Sequence, residues 1–467
     1  MLRQSLFLLA LFLPFNLFAA EKPNVILVMC DDLGWGDLTA FNPETPIKTP
    51  HLSEMAAAGL KFNRFYAAAP VCSPTRGSCL TGRHPYRYGI YFANTGHLKS
   101  KEITLPEILK KEGYTTGHFG KWHLGTLTTT IKDANRGGPK GKKNFSTPQM
   151  NGYDRCFVTE SKVPTYDPLI KPKAGGKNGW DYLKNPAEGV SYGTHYWDEN
   201  GEVVKENLSG DDSRVIMDRA IPFIEEAAKE KTPFFAAIWF HSPHLPVVAG
   251  PEHVKHYSEH SEYDRNYYGC ITALDEQIGR LRKRLKELDV AENTMLWFCS
   301  DNGPEGQTGK APGSAGPFRG RKRSLYEGGV RVPGLLEWPG HVQAGTETNL
   351  PAVTSDYLPT VLAVIGIDYP GNRPIDGINL LPAIQQRTSS RKSPIGFQSG
   401  KMKSWVTDQY KLFSPDQGKT WELYDLIKDP VEQTDLAAMQ PELVQSMKSE
   451  LEDWIRSCSA SDKGKDY

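Results

Sequence analysis

The sequence lacks three features that would place it in a specialised class: an excess of charge, a long apolar segment in its interior and a regular cysteine pattern. Lysine plus arginine and aspartate plus glutamate both number 55, so the formal net charge is zero. A chain without excess positive charge has no overall attraction for nucleic acid or for an anionic membrane. We therefore predict no nucleic-acid partner, and a polyanion would have to bind through a local basic patch.

The seven cysteines are scattered along the chain and form neither a disulfide framework nor a paired metal-ligand spacing. Cys30 and Cys299 each close a short apolar run, which predicts small buried hydrophobic side chains. An odd number of cysteines in an exported chain also raises the question of which one has a special role.

The longest apolar stretch lies at the start of the chain. A positive start is followed by an apolar run over residues 6–18 and by polar residues from Glu21. This pattern predicts a signal peptide over residues 1–20, cleaved near Ala20, and a secreted or periplasmic protein; an uncleaved anchor is the alternative. No later segment is apolar enough to cross a membrane, so no stable membrane span is expected after cleavage.

Continuous apolar runs bounded by turn residues predict an α/β fold. The runs cover residues 25–30, 234–240 and 295–299, and such runs suit strands buried on both faces of a parallel sheet. Helical patterns lie at residues 105–113 and 271–288. In α/β folds, ligands gather outside the carboxyl ends of the strands, where polar residues fall in this sequence.

The chain divides into a large and a small predicted domain. Residues 21–383 are predicted to form the larger domain, in which residues 125–203 have no long periodic runs and are expected to be surface loops. Residues 384–467 contain short hairpin patterns and an amphipathic helix near residues 443–455, which predict a small α+β domain.

Two polar pairs follow two of the predicted strands. Asp31 and Asp32 come after the first apolar run, and Asp301 and Asn302 come after the last one. Hard oxygen ligands of this kind suit Ca²⁺ or Mg²⁺ rather than zinc. One Asp-Asp pair is weak evidence, but two such pairs at strand ends predict a metal site.

The segment from Cys72 to Arg83, CSPTRGSCLTGR, resembles the signature of formylglycine-dependent (type I) sulfatases of the alkaline-phosphatase-like superfamily. Segments similar to other motifs of this family follow in order: GKWHLG at 120–125, SPHLP at 242–246 and RGRKRSLYEGGVRVP at 319–333. Within the family, the chain resembles carbohydrate sulfatases of the N-acetylgalactosamine type and arylsulfatases. The resemblance implies a large, mixed, mostly parallel sheet flanked by helices, with a small C-terminal α+β domain built on an antiparallel sheet.

The resemblance implies a modified nucleophile and one bound Ca²⁺. In this family the residue at Cys72 is oxidised to formylglycine (3-oxoalanine) by a separate maturating enzyme, which would be a partner of this chain. The aldehyde hydrate attacks sulfur, and its second hydroxyl allows the sulfate to leave. Ca²⁺ would be held by Asp31, Asp32, Asp301, Asn302 and the modified Cys72, and Asp301 would take the proton from the attacking hydroxyl.

The same resemblance assigns roles to five further side chains. Arg76 would fix the modified Cys72, and Lys121 and Lys322 would neutralise sulfate oxygens. His244 would protonate the departing alcohol, and His123 would be the base that triggers sulfate release.

Three further residues are given supporting roles. His241 is expected to be structural, Arg83 to support the nucleophile turn and Glu327 to support the loop that carries Lys322.

Segments at 152–154 and 160–168 are similar to sulfatases that act on polysaccharides, so a sulfated carbohydrate is the expected substrate. The candidate sugar contacts are His84, Lys162, Tyr166, Asp167 and Arg319.

Two alternatives remain open at the level of sequence. The first is a phosphatase or phosphodiesterase of the same superfamily, which should have a Ser or Thr nucleophile and two metal sites rich in His and Asp. The second is an inactive binder of sulfated glycans in which Cys72 stays a thiol.

Overall fold

A computed structural model describes residues 22–175 and 179–467 of the chain. The predicted signal peptide lies outside the described residues. Within those two ranges, no helix has the length and apolar character needed to cross a membrane.

The secondary structure alternates between strands and helices through most of the chain. The strands are β1 (Asn24–Cys30), β2 (Leu60–Phe62), β3 (Phe65–Tyr66), β4 (Thr115–Lys121), β5 (Arg155–Thr159), β6 (Lys173–Ala174), β7 (Trp180–Asp181), β8 (Trp197–Asp198), β9 (Phe234–Trp239), β10 (Thr294–Ser300), β11 (Arg331–Val332), β12 (Gly334–Glu337), β13 (Thr346–Thr348), β14 (Ala352–Val353), β15 (Ile395–Ser399), β16 (Met402–Val406), β17 (Tyr410–Ser414) and β18 (Glu422–Asp425). The helices are α1 (Pro50–Ala58), α2 (Cys72–Thr81), α3 (Leu105–Lys111), α4 (Asp212–Glu230), α5 (Pro251–Val254), α6 (Glu262–Glu287), α7 (Glu327–Val330), α8 (Tyr357–Ile365), α9 (Leu381–Ile384) and α10 (Pro441–Asp462).

The described residues form a nine-stranded mixed sheet in the order β13-β2-β12-β10-β1-β9-β4-β5-β8. Its five central strands, β10, β1, β9, β4 and β5, are all parallel. Antiparallel strands flank this block, because β12 pairs with β10 and β8 pairs with β5. The predicted mixed, mostly parallel sheet is confirmed.

Helices cover both faces of this sheet. Alternate residues of a strand point to opposite faces, and in β1 Val25 and Leu27 face one apolar cluster while Ile26 and Val28 face another. The first cluster is completed by residues of α2, α3 and α8, and the second by residues of α1, α4 and α6. Both helices expected from periodicity, at 105–113 and 271–288, are present as α3 and as the second part of α6.

The prediction of surface loops over residues 125–203 is wrong for β5. Residues 155–159 form a strand of the central sheet, and the four residues from Cys156 to Thr159 are buried. The segment is only five residues long and lies between loops, so it gave no long periodic signal.

A four-stranded antiparallel sheet, β15-β16-β17-β18, lies near the end of the chain and is joined by α10. Trp405 and Leu412 of this sheet pack against Met447 and Leu451 of α10. The hairpin strands and the terminal helix expected from sequence are confirmed. On the other face, Phe397 and Phe413 pack against Tyr66 of the larger part of the chain.

A buried charge network joins the terminal sheet to the loop before α7. The Lys411 ammonium is fully buried and lies 3.0 Å from Glu327 Oε1 and 2.8 Å from Glu432 Oε1. The Tyr66 hydroxyl donates to Glu327 Oε2 at 2.8 Å, and Glu432 Oε2 accepts from the Glu327 backbone N–H at 2.7 Å. Since Lys322 lies five residues before Glu327, this network fixes the base of the loop that carries Lys322.

Replacing Lys411 by methionine should destabilise the protein. The change keeps the length of the side chain but leaves the buried Glu432 without its cation and Glu327 with only Arg331, at 3.4 Å; breaking a buried ion pair typically costs about 3–5 kcal/mol. Lys428→Met is the matched control, because Lys428 is 82% exposed and forms only a long ion pair with Asp425, at 3.9 Å. Denaturant unfolding measures both variants, and equal stabilities would contradict the importance of the network.

Candidate active site

All five central parallel strands deliver polar residues to the same edge of the sheet. Asp31 follows β1, Asp301 follows β10, His241 follows β9, Lys121 ends β4 and Ser161 follows β5. The carboxyl ends of parallel strands meet at one edge. Residues far apart in the sequence are therefore brought together there.

Cys72 reaches the same edge as the first residue of α2. The helix is buried along its whole length and ends at Gly82, whose positive φ of 66° suits a left-handed C-terminal cap. The Cys72 Sγ atom lies 3.4 Å from Asp31 Oδ1 and stands where the oxygen of a modified side chain would be. Burial raises the pKa of the Cys72 thiol, so the unmodified side chain is held protonated.

The floor of the site consists of three buried pairs of opposite charge. Arg76 donates to Asp301 Oδ2 from Nε at 3.0 Å and from Nη2 at 2.6 Å. The other two pairs join Lys121 Nζ to Asp31 Oδ2 at 2.5 Å and Lys322 Nζ to Asp32 Oδ1 at 2.6 Å.

Charge pairing overcomes burial at Asp31. Burial acts to raise the pKa of this carboxyl, but the opposing charges of Lys121, Arg76 and Lys322 bring it well below its usual range. Asp31 is therefore ionised, as a metal-binding carboxylate must be.

Three of the five predicted metal ligands lie together, and His244, predicted as the catalytic acid, lies with them. Ligand atoms of Asp31, Asp32, Cys72 and His244 all lie within 4.8 Å of one another. The remaining two residues are tied to Asp32: its backbone N–H donates to Asp301 Oδ1 at 3.2 Å, and Asn302 Nδ2 donates to its Oδ1 at 2.7 Å.

The chemistry of these donors fits a hard cation. The Asn302 Oδ1 atom is buried and makes no hydrogen bond with any described residue. A buried carbonyl oxygen normally has a partner, and this one belongs to an amide whose Nδ2 is bonded to Asp32. Oxygen donors of this type suit Ca²⁺ or Mg²⁺.

Hydrogen bonds fix the ring orientation of both predicted catalytic histidines. His244 Nδ1 must donate to the Leu245 carbonyl at 2.7 Å, which leaves Nε2 directed toward Asp32 Oδ2 at 3.7 Å. His123 Nε2 donates to Asn94 Oδ1 at 2.9 Å, and its buried Nδ1 has no partner among the described residues.

Burial keeps both of these rings neutral. It lowers the pKa of His244 to about 4, and burial together with the Lys121 charge lowers that of His123 well below its usual value.

Several residues of the site adopt the left-handed backbone conformation, which is uncommon for residues other than glycine. The φ angles are 68° at Asp32, 62° at Asn94, 57° at His123 and 74° at Arg323. Such strain costs on the order of 1–3 kcal/mol per residue and tends to cluster at functional sites.

A cavity of about 420 Å³ opens above this floor. It contains residues that the sequence reasoning missed, notably Asn94, Asn135 and Ser161, because a single polar residue in a loop has no recognisable pattern. The lining residues are Val71, Cys72, Phe92, Ala93, Asn94, Lys121, His123, Asn135, Ser161, Lys162, His244, Leu245, Glu305, Lys322 and Arg323.

Of the five candidate sugar contacts, the structure places Lys162 in the lining of this cavity and the other four outside it. His84 is 3% exposed, and its ring packs edge-on against Trp454 of α10 at 4.7 Å. Arg319 stacks over the Tyr326 ring at 3.8 Å and donates to the Tyr424 hydroxyl. The structure thus corrects the predicted placement of His84, whose ring is enclosed by packing.

Tyr166 and Asp167 lie in a separate loop. The Tyr166 ring packs near Tyr182, with ring centroids 6.3 Å apart. Asp167 is buried and its Oδ1 accepts from the Gly210 backbone N–H at 2.7 Å. Neither side chain lines the cavity. The Asp167 carboxylate instead stabilises the loop through its hydrogen bond with Gly210.

His241 belongs to a buried polar chain behind the cavity. Its Nδ1 lies 2.7 Å from Asp212 Oδ2, and its Nε2 lies 2.7 Å from Thr159 Oγ1. The Thr159 hydroxyl donates to the Ser161 carbonyl at 2.6 Å. This chain therefore fixes Ser161 at the cavity wall, in agreement with a structural role for His241.

Arg83, at the end of the nucleophile segment, is fully buried. Its Nη2 donates to Asp466 Oδ2 at 2.7 Å, and its Nε lies 3.6 Å from Glu102 Oε2. Arg83 thus ties the turn after α2 to the last residues of the chain.

The fold and the site define a hydrolase of the alkaline-phosphatase-like type, and comparison with known proteins gives the family. The sulfatase family model matches residues 23–367, and the model of the C-terminal region of N-sulphoglucosamine sulphohydrolase matches residues 316–457. The chain belongs to the sulfatase family and is a sulfuric ester hydrolase.

Similar curated proteins are sulfatases. Human N-acetylgalactosamine-6-sulfatase is 32% identical over 424 residues, which cover 86% of this chain and 74% of that protein. Human arylsulfatase A is 31% identical over 481 residues, which cover 94% of this chain and 89% of that protein. The solved structure of Ps i-CgsB superposes with a TM-score of 0.79 at 29% identity, covering 93% of this chain and 92% of that one.

Replacing Thr159 by valine should destabilise the wall of the cavity. The change leaves the Ser161 carbonyl and His241 Nε2 without their buried partner, which costs about 1–3 kcal/mol. Thr420→Val is the control, since Thr420 is exposed and its hydroxyl bonds to Asp416 at the surface. Chemical denaturation reads out both, and a loss no greater than that of the control would argue against this role.

Proposed function

We propose that this protein hydrolyses sulfate esters of carbohydrates with a formylglycine made from Cys72 and one bound Ca²⁺. The observation that carries the proposal is the position of Cys72, the first residue of a buried helix, 3.4 Å from Asp31 and within a group of metal-type ligands. Cys72, from the segment that resembles the family signature, thus lies beside the polar residues at the ends of the parallel strands. The modification itself requires a separate maturating enzyme.

In this proposal Asp31, Asp32, Asp301, Asn302 and the modified Cys72 hold the Ca²⁺. A bound cation supplies positive charge that polarises a sulfate oxygen and favours an ionised nucleophile. The formylglycine hydrate supplies an oxygen nucleophile with a second hydroxyl. Asp301, which accepts from Arg76 at 2.6 Å, takes the proton from the attacking hydroxyl.

The cationic side chains orient the ester and offset its charge. Arg76 is anchored by Asp301 and by the Lys121 carbonyl. It lies four residues after Cys72 on α2, and its role in this proposal is to hold the modified side chain in place. Lys121 and Lys322 are paired with different carboxylates of the floor, and both neutralise sulfate oxygens as negative charge develops. Both side chains line the cavity in which the ester would bind.

The two histidines perform the proton transfers. His244 Nε2 faces the floor, and an anionic ester beside it favours the protonated ring that donates a proton to the leaving alcohol. His123 Nδ1 is unprotonated and free of hydrogen bonds among the described residues, as a base that triggers sulfate release should be.

A carbohydrate substrate is supported by the relatives. Human N-acetylgalactosamine-6-sulfatase carries a sugar in its name, and Ps i-CgsB, 28% identical in this complex, has been solved with k-i-k-neocarrahexaose. The cavity of about 420 Å³ is within the usual range for small-ligand sites. Tyr166, Asp167 and Arg319 remain predictions for contacts with outer parts of a longer glycan.

We also propose that the chain is exported after removal of residues 1–20. The division at residues 383 and 384 is proposed as the boundary between the sulfatase catalytic domain and the C-terminal subdomain. It falls within α9, before β15 begins the antiparallel sheet.

Turnover of an aryl sulfate and of the matching aryl phosphate tests the reaction class. Protein made together with a maturating enzyme should prefer the sulfate, and Cys72→Ala or protein made without maturation should lose at least about a thousandfold in kcat/KM, because no oxygen nucleophile is present. Cys458→Ala is the control, since Cys458 is a buried cysteine of α10. Dominant phosphate turnover, or full activity of Cys72→Ala, would overturn the proposal.

Calcium should stabilise the protein through Asn302. A ligand that binds only the folded state at 100 times its Kd adds about 2.7 kcal/mol, so Ca²⁺ should raise Tm and chelation should lower both Tm and turnover. Asn302→Ala should reduce the rise in Tm because it removes the unpartnered oxygen. Asn200→Ala, in an exposed turn, is the control, and an undiminished calcium response of Asn302→Ala would contradict this assignment.

A further inference from the structure

Lys162 differs from the other cationic side chains that line the cavity. It follows Ser161 beyond the end of β5 and is partly exposed to the cavity. Its ammonium forms no hydrogen bond or ion pair within the part of the chain that the structure describes. A charged group directed into a concave site without a counter-ion indicates an anionic ligand.

The remaining cations of the lining are already matched. They pair at 2.5–2.6 Å with carboxylates: Lys121 with Asp31, Lys322 with Asp32 and Arg323 with Glu305. Arg76, below the lining, is matched by Asp301. Each of these four cations is thus paired with a carboxylate, whereas Lys162 has no carboxylate partner among the described residues.

The position of Lys162 is electrostatically unfavourable without a ligand. Partial burial and the positive charges of Lys121 and Lys322 lower the pKa of the Lys162 ammonium. The side chain nevertheless extends into a cavity whose volume of about 420 Å³ exceeds the size of one sulfate group. A negative group on the ligand, beyond the ester that reacts at the floor, would relieve this repulsion.

We propose that Lys162 binds a second anionic group of the same glycan, a carboxylate or a further sulfate, beside the ester that is cleaved. This inference rests on the proposed function and narrows its substrate class to glycans with at least two negative charges close together. Lys162 is then a specificity-determining residue, since Lys121 and Lys322 suffice for the reacting sulfate.

Calorimetric titration of the Cys72→Ala protein tests this without turnover. The ligands are a galactose disaccharide with one sulfate, the same disaccharide with two sulfates, and a disaccharide of sulfated N-acetylgalactosamine and a uronic acid. Each is titrated into Cys72→Ala and into the same protein with Lys162→Gln or with Lys283→Gln. Lys283 is the matched control, because it is 78% exposed on α6 and pairs only weakly with Glu287 at 3.7 Å.

The expected result is about tenfold or tighter binding of a doubly anionic ligand, equivalent to about 1.4 kcal/mol, which Lys162→Gln removes and Lys283→Gln retains. Preference for the disulfated ligand identifies a sulfate partner, and preference for the uronic acid ligand identifies a carboxylate. Equal weakening of all three ligands by Lys162→Gln would assign Lys162 to the reacting sulfate and overturn the proposal. If none of the ligands is preferred, or if none binds, the proposal is overturned as well. The proposed function has a separate test: it would be rejected if the matured enzyme did not turn over an aryl sulfate.

Discussion

The parallel alignment of five central strands is the constraint on which the rest of this structure depends. Parallel strands end at the same edge, so residues from Asp31 to Asn302 meet although they are far apart in sequence. Cys72 and Lys322 do not come from this edge: they lie on a buried helix and on a loop fixed by Glu327. The register of the sheet therefore sets the distances of the site.

The buried carboxylates at this edge are stabilised by pairing with cationic side chains. Three carboxylates are buried at the floor, and each is matched by an Arg or a Lys. An unpaired buried carboxylate would be strongly destabilising. The same cations that make burial of the carboxylates tolerable also surround the position of an anionic ester, so stability and ligand recognition use one set of charges.

The sequence allowed the fold and most of the site to be predicted where the signal was continuous. The runs that became β1, β9 and β10 are uniformly apolar, so their ends marked the metal-type residues. β4 was not predicted, because its sequence TTGHFGK contains small and polar residues and no continuous apolar run, although six of its seven residues are buried. β5 was missed because five residues between loops give little periodicity.

The candidate sugar contacts show a different limit. His84 and Lys162 both occur beside segments that resemble the family, and only packing distinguishes them. The ring of His84 is enclosed by Trp454, a residue from the opposite end of the chain, whereas Lys162 extends into the cavity. Asn94 and Ser161 were missed for a related reason, since a loop conformation with positive φ or a hydrogen bond to Thr159 depends on the complete fold.

The network of Lys411, Glu327 and Glu432 has a consequence for the order of events during synthesis. Lys411 and Glu432 are synthesised after Glu327, and until then Glu327 has no cation from the terminal sheet. Cys72, which is only 1% exposed in the folded protein, leaves the ribosome far earlier. Cys72 is therefore synthesised well before the residues that complete the buried network, so the network can form only after the nucleophile segment has been made.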